Sequence, residues 1–191
     1  MKKIVLMVMA SLMIATAASA EDMKFYVGAH LYQSAWMYDS LDYWYNNLFI
    51  GAKSDNLRFE LYPRLRYNTS ESESSGSKTE SKNTAFGLGG NVYYDFAKSG
   101  FIIPFVGAGA SFGIYSREDK TGGVKTYDRK GNGYTLDVQG GVSLSIAQSW
   151  SLDAGLELSY YGDSQKNKIS DVKTTSKGYG VNHVLKIRYT F

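Results

Sequence analysis

Cysteine is absent from the 191 residues, and proline occurs only twice. Without a thiol the chain can form no disulfide and no thiolate metal site, and it offers no N-terminal cysteine to carry a lipid. Few prolines beside 16 tyrosines and 20 glycines favour strands with tight bends, since aromatics suit pleated surfaces and glycine permits kinks. The 21 basic and 18 acidic residues leave a net charge of +3, which is too balanced to indicate a nucleic-acid partner.

Long apolar runs are missing after the first twenty residues. At the start, lysines at positions 2 and 3 precede an apolar run over 4–17 and a closing Ala-Ser-Ala. This order predicts a signal peptide over 1–20, cleaved before Glu21. The run is shorter than the roughly 20 apolar residues that a membrane-spanning helix needs. We therefore expect residues 21–191 to form one exported domain, either soluble or a β-barrel.

In the rest of the chain, apolar and polar residues alternate with a period of two. In the segment 179–191 the odd positions are nearly all apolar and the even positions mostly small or charged. The odd set is Tyr179, Val181, His183, Leu185, Ile187, Tyr189 and Phe191. The same pattern recurs in 25–36, 44–53, 57–68, 84–96, 101–115, 134–146 and 151–162. An all-β fold is predicted, an eight-stranded antiparallel up-and-down transmembrane β-barrel.

The connections alternate between short and long, which fixes the orientation of the predicted barrel. Short turns are expected at 54–56, 98–100 and 148–150, and long polar loops at about 36–45, 69–82, 116–132 and 163–177. In outer-membrane barrels the short turns face the periplasm and the long loops face outward. Ser, Glu and Lys dominate the stretch 70–81, so it is expected to be a mobile surface loop with too little apolar surface to pack.

Alternation alone also fits a soluble barrel whose polar face is outside. Here the polar face carries small residues and isolated charges rather than the interspersed Lys and Glu of a water-facing wall. Aromatic residues collect near the strand ends, as in two interfacial girdles. One group is Trp36, Tyr43, Trp44 and Tyr45; the other is Tyr94, Phe96, Phe101, Trp150, Tyr189 and Phe191. We therefore expect the apolar face to meet lipid and the polar face to line the lumen.

The predicted lumen is a closed polar core, because eight strands enclose only enough space for side chains. Five cations and five anions are expected there in near-complete pairing, together with three tyrosines. They are Arg58, Arg64, Arg66, Lys186 and Arg188, then Glu60, Asp95, Asp137, Asp153 and Glu157, and finally Tyr26, Tyr62 and Tyr93.

Three segments carry a family resemblance: Phe-Tyr-Val-Gly-Ala at 25–29, Pro-Phe-Val-Gly-Ala-Gly at 104–109, and Leu-Lys-Ile-Arg-Tyr-Thr-Phe at 185–191. With them the chain resembles the outer-membrane β-barrel superfamily of OmpA-like, OmpX-like and Opa-like domains over residues 23–191. The resemblance implies location in the outer membrane of a Gram-negative bacterium. It also implies that Phe191 is read by the outer-membrane assembly machinery. It transfers no surface ligand, because such barrels share architecture while their loops differ in function.

No catalytic, cofactor or metal site is predicted. His183 lies on the predicted outward face, where some barrels that hydrolyse lipid A carry a serine, a histidine and an acid. Leu185 stands where a resemblance to the deacylase family requires a serine, and no acid is evident on that face, whereas a nucleophile needs its base and orienting group together. His30 is expected to face the lumen as a hydrogen-bonding filler.

The leading functional hypothesis is a monomeric, non-enzymatic outer-membrane barrel that supports envelope integrity and displays loops for adhesion or host and environmental contact. Its expected partners are outer-membrane lipids and lipopolysaccharide, the assembly machinery, and a surface ligand that the sequence does not identify. Basic residues in 116–132 and 163–177 attract lipopolysaccharide phosphates or acidic glycans in one interpretation, and are solvated mixed charge in the other. The alternatives are a narrow channel and a lipid A-modifying enzyme.

Overall fold

A computed structural model of the chain describes residues 23–35, 48–74 and 77–191. The predicted signal peptide and the aromatic residues predicted near the first loop lie outside these ranges. The described residues include no helix long and apolar enough to span a membrane. They form eight strands: β1 Lys24–Ala35, β2 Leu48–Ser54, β3 Leu57–Ser74, β4 Ser77–Asp95, β5 Ile102–Thr121, β6 Val124–Ser145, β7 Trp150–Asn167 and β8 Lys173–Thr190.

The strands close into a barrel in which each pairs with its sequence neighbour and β1 pairs with β8. All pairings are antiparallel, and closure places Tyr26 opposite Thr190. The backbone N–H of Phe191 donates to the carbonyl oxygen of Phe25 at 3.0 Å, so the last residue is still tied to the first strand. The predicted eight-stranded antiparallel barrel is confirmed.

The two faces of the wall follow the predicted alternation. In β7, Leu156 and Leu158 are more than half exposed on the outside, whereas Glu157 and Ser159 between them are buried in the lumen. The aromatics predicted at the short turns also lie at the outer surface, where Trp150 contacts Tyr189 with ring centroids 5.0 Å apart. A wall with apolar side chains outside and charges inside suits lipid as the surrounding solvent.

Three of the four long connections differ from prediction, because strands continue through most of 69–82, 116–132 and 163–177; the loop predicted at about 36–45 lies outside the described residues. Only residues 75–76, 122–123 and 168–172 connect β3–β4, β5–β6 and β7–β8. Residues 70–74 pair in register with 77–81, so the prediction of a surface loop over 70–81 is wrong. The physical reason is that these strands are already paired in the barrel wall. Each further pair of residues can then extend the backbone hydrogen bonding without an apolar core. We call these paired ends, over 68–83, 116–130 and 163–177, the rim.

Candidate functional site

The end of the lumen near the short turns is filled by ion pairs. Arg58 Nε lies 2.8 Å from Asp95 Oδ1, and Arg58 Nη1 lies 2.8 Å from Asp153 Oδ2. Arg188 Nε joins Asp153 Oδ2 at 2.9 Å. Arg58 is 0% exposed, although its two acids come from strands far apart in sequence. Register across the whole barrel therefore determines the pairing.

A second pair lies next to the first. Lys186 Nζ is 2.8 Å from Glu60 Oε2, and both side chains are essentially inaccessible to solvent. The Tyr93 hydroxyl donates to Glu60 Oε2 at 2.9 Å and accepts from Asn91 Nδ2 at 2.8 Å. We call the six charged residues of these two groups the ionic plug: Arg58, Glu60, Asp95, Asp153, Lys186 and Arg188.

Aromatic rings occupy the space between these charges. The guanidinium carbon of Arg58 lies 4.8 Å from the Tyr93 ring centroid, and that of Arg188 lies 5.2 Å from the Tyr26 centroid. The Tyr93 ring lies so close to Gly107 that a Cβ there would overlap ring carbons. The glycine is thus required by close approach rather than by backbone angle. Cation–π contact and ion pairing together leave the ionic plug densely filled.

Farther from the short turns the lumen is less completely paired. Gln139 Nε2 donates at 3.0 Å to both Asp137 Oδ1 and Glu157 Oε2, so an amide links two acids. Asp137 accepts from Gln139 and has no ion pair among the described residues; the near-complete pairing of the five cations with the five anions stays a prediction. The Arg66 side chain lies outside the description. Lys53, 2.8 Å from Asp95, is a lumen cation that the prediction omitted.

A cavity of about 10 Å³ lies at this level, large enough for about one water molecule. It is lined by His30, Tyr62, Arg64, Asn91, Asp137, Gln139 and Glu157. His30 faces the lumen as predicted, and its ring lies 5.4 Å from that of Phe49. Neither imidazole nitrogen has a hydrogen-bond partner within 23–35, 48–74 and 77–191. The ring packs edge-on against Phe49 and Tyr62, and its hydrogen bonding in the lumen stays a prediction.

The inner side of the rim combines arginines with a tyrosine. The Arg129 and Arg117 guanidinium carbons lie 4.9 and 5.6 Å from the Tyr127 ring centroid. Below them, the Tyr115 hydroxyl donates to Asp163 Oδ2 at 2.5 Å. This end of the lumen is therefore polar.

On the outside, His183 is exposed, and its cross-strand neighbours are Leu156 and Ser34. The outward positions described for β1, β7 and β8 include no Asp or Glu. Neither of these cross-strand neighbours is an acid, whereas a nucleophile needs its base and orienting group together. Elsewhere on this wall, Tyr134, Tyr160 and Tyr179 form a row, with centroids 6.2 and 5.0 Å apart.

The family model described as outer membrane protein beta-barrel domain matches residues 4–188. No curated protein is significantly similar to the chain. Among solved structures, Neisserial surface protein A is 19% identical, with 88% of this chain and 96% of that chain covered and a TM-score of 0.46. A major outer membrane protein from Thermus thermophilus is 12% identical, with coverages of 90% and 100% and a TM-score of 0.49. The E. coli outer membrane protein W is 14% identical, with coverages of 88% and 97% and a TM-score of 0.48.

Proposed function

Because the chain belongs to the outer membrane protein β-barrel domain family, we propose that it is a closed, non-enzymatic barrel of the outer membrane. In this role it supports envelope integrity, and its rim faces the environment as a rigid surface for adhesion or host contact. The ionic plug is the observation that carries the proposal. Ion-paired side chains that fill the lumen hold the strands of the barrel together. With the lumen filled, we expect the function to lie on the outer surface.

The closed lumen is tested in planar lipid bilayers with the purified, folded protein. We expect no stable conductance, because the ionic plug occupies the lumen near the short turns. A porin of known conductance in the same bilayers serves as the positive control. The matched variant is Arg58→Ala with Asp153→Ala, which shortens two buried side chains while removing one charge of each sign. Brief openings in this variant alone support the plug, whereas reproducible steps from the wild type contradict it.

A narrow channel is the second candidate, favoured by the cavity beside His30 and Asn91. Asn91 Oδ1, like both His30 nitrogens, has no partner in the described part of the chain, so water is its natural partner. If water continued past the ionic plug, wild-type conductance would appear and Asn91→Leu would reduce it. Enzymatic action on lipid A is not proposed, since neither cross-strand neighbour of His183 is an Asp or Glu. An altered lipid A mass profile in a deletion strain, restored by wild type but not by His183→Ala, would reverse that conclusion.

Assembly is proposed to depend on Phe191, whose side chain is 73% exposed. Little packing energy depends on so exposed a ring, so deleting Phe191 is expected to reduce membrane levels mainly by removing a signal for the assembly machinery. The control is Phe101→Ala, which removes another exposed ring from the same end of the barrel. Equal membrane levels of the two variants would contradict a signalling role for the terminal residue.

A further inference from the structure

Resting on the proposed location in the outer membrane, we propose that lipopolysaccharide binds to a strip of lysines on the outer wall. The lysine strip consists of Lys130 on β6, Lys166 on β7, and Lys173 and Lys177 on β8. All four are exposed. Each has the same parity along its strand as outward apolar residues: Lys130 with Leu136, Lys166 with Leu158, and Lys177 with Tyr179. The strip therefore faces the surrounding membrane, not the lumen.

The register brings like charges together across three neighbouring strands. Lys130 lies directly opposite Lys166, and Lys166 lies directly opposite Lys173. Like charges in directly paired positions destabilise a sheet, so this arrangement calls for an anion outside the protein. One acid contacts the strip, through a 2.6 Å pair between Lys166 and Asp171. Both side chains are more than half exposed, and such a pair contributes little.

The other side of the rim is built differently, although it also carries outward lysines. Lys78 lies 2.9 Å from Glu71 and 3.5 Å from Glu80. Lys120 lies 3.4 Å from Glu118, which is also the cross-strand neighbour of Lys82. On β3 to β5 the outward charges thus neutralise one another within the protein. Among the rim residues that the structure describes, the excess of outward positive charge lies on β6 to β8.

Depth in the membrane identifies the chemistry of the partner. The row of Tyr134, Tyr160 and Tyr179 marks the outer interface, because tyrosine places an apolar ring in lipid and a hydroxyl in water. Lys177 is two residues beyond Tyr179, or roughly 7 Å along the strand, which is the depth of a headgroup layer roughly 5 to 8 Å thick. Lysine stems are flexible enough to bring the ammonium to a phosphate at that level.

Lipopolysaccharide fits the length of the strip better than a phospholipid does. From Lys177 to Lys173 the strip continues outward for four residues, or roughly 13 Å at the usual rise per residue. A phospholipid presents its phosphate at a single depth. Lipopolysaccharide carries phosphates at its lipid end and further phosphates and carboxylates on the sugars outside it. The ammonium groups of Lys177 and Lys173, spaced along that distance, can contact the phosphates of the lipid end and the anions of the outer sugars respectively.

The test compares two triple variants that change net charge equally. One is Lys166→Gln, Lys173→Gln and Lys177→Gln; the control is Lys78→Gln, Lys82→Gln and Lys120→Gln. Each protein is inserted in zwitterionic nanodiscs and titrated with fluorescent lipopolysaccharide at low salt without divalent cations. A lysine near an anionic surface changes affinity about 5-fold, so the strip variant should bind roughly 100-fold more weakly. The control should lose less than about 5-fold.

Three further measurements distinguish the sources of anionic chemistry. Dephosphorylated lipopolysaccharide should bind the wild type more weakly, and millimolar inorganic phosphate should not compete. Binding of phosphatidylglycerol, added to the nanodiscs in place of lipopolysaccharide, should be the same for the wild type and for the strip variant. Equal losses in both triple variants, or unchanged binding after dephosphorylation, would overturn the proposal. A heat-dependent gel shift on the same samples reports insertion: an inserted barrel without lipopolysaccharide preference overturns the strip alone, whereas a wild type that never inserts overturns the proposed function as well.

Discussion

Removing one partner of the buried pair between Glu60 and Lys186 is the sharpest test of the ionic plug. In Glu60→Gln, Lys186 keeps its contact with the Tyr93 hydroxyl. Its Nζ also stays 5.5 Å from the Phe49 ring centroid and 4.8 Å from that of Tyr93. Lys186 loses the Glu60 carboxylate 2.8 Å away, in a pair whose side chains are 1% and 0% exposed. Breaking a buried pair typically costs about 3 to 5 kcal/mol. The remaining contacts favour the lower end, so we expect a loss of about 3 kcal/mol in the free energy of unfolding.

The double variant Glu60→Gln with Lys186→Met separates pairing from packing. It removes both charges, so it should be more stable than Lys186→Met alone, in which Glu60 stays buried without its cation. The control is Asp55→Asn, which breaks a 2.6 Å pair with Lys98 at side-chain exposures of 70% and 68%. That exposed pair should contribute at most about 1 kcal/mol.

Urea unfolding from lipid vesicles, followed by tryptophan fluorescence and by the gel shift, gives the midpoint and slope for each variant. We expect the free energy of unfolding to decrease in the order wild type, Asp55→Asn, double variant, Lys186→Met. If Glu60→Gln lowers stability no more than Asp55→Asn does, the lumen is hydrated enough to screen its charges and the closed plug is refuted.

Three other outcomes follow from the same structure. Gly107→Val should destabilise the barrel by more than about 2 kcal/mol, since its side chain would overlap the Tyr93 ring; near-wild-type urea midpoints would contradict that contact. Trypsin added to intact cells should cut after Lys168, in the connection 168–172, before it cuts at Lys78 or Lys82 in paired strands; earlier loss of the β3–β4 hairpin would mean that this part of the rim is open. The side-chain hydrogen bond from Lys125 lowers the pKa of Glu118 from its ordinary 4.5, so its stabilising contact is lost only as the pH falls below 4.5. Protection of the β5–β6 hairpin amides, measured relative to their intrinsic exchange rate at each pH, should therefore decrease only below that value; protection that stays constant down to complete protonation would contradict the contact.

The face of each lumen residue could be predicted from sequence, because side chains alternate strictly along a strand. Arg58, Glu60 and Asp153 were assigned to the lumen on this basis alone. Lys53 has the parity of the buried Phe49 and not of the exposed Ile50, so the same alternation assigns it to the lumen. Partners could not be predicted. The contact between Arg58 and Asp153 spans 95 positions, and it depends on the stagger between strands that share no local signal.

The rim was missed for a different physical reason. Apolar periodicity is the signal by which strands are recognised, and residues 70–81 have no apolar face. Once β3 and β4 pair within the barrel, extending the pairing into the rim costs only the ordering of a few residues. Backbone hydrogen bonds, and contacts such as that of Lys78 with Glu71, offset this cost. Similarly, lysines at 130, 166 and 173 look like scattered loop charges in sequence. Their alignment exists only because the strands around them are paired in register.

The two ends of the barrel therefore point to different roles. Near the short turns, the charged side chains are buried and ion-paired within the protein. At the rim, β3 to β5 again neutralise their own charges, but β6 to β8 leave a row of lysines facing outward. Uncompensated charge at one face of an otherwise balanced protein has an effect only on what lies next to that face. For a barrel embedded in the outer membrane, that neighbour is the anionic lipid of the outer leaflet, so the wall rather than the lumen is where we expect this protein to recognise its surroundings.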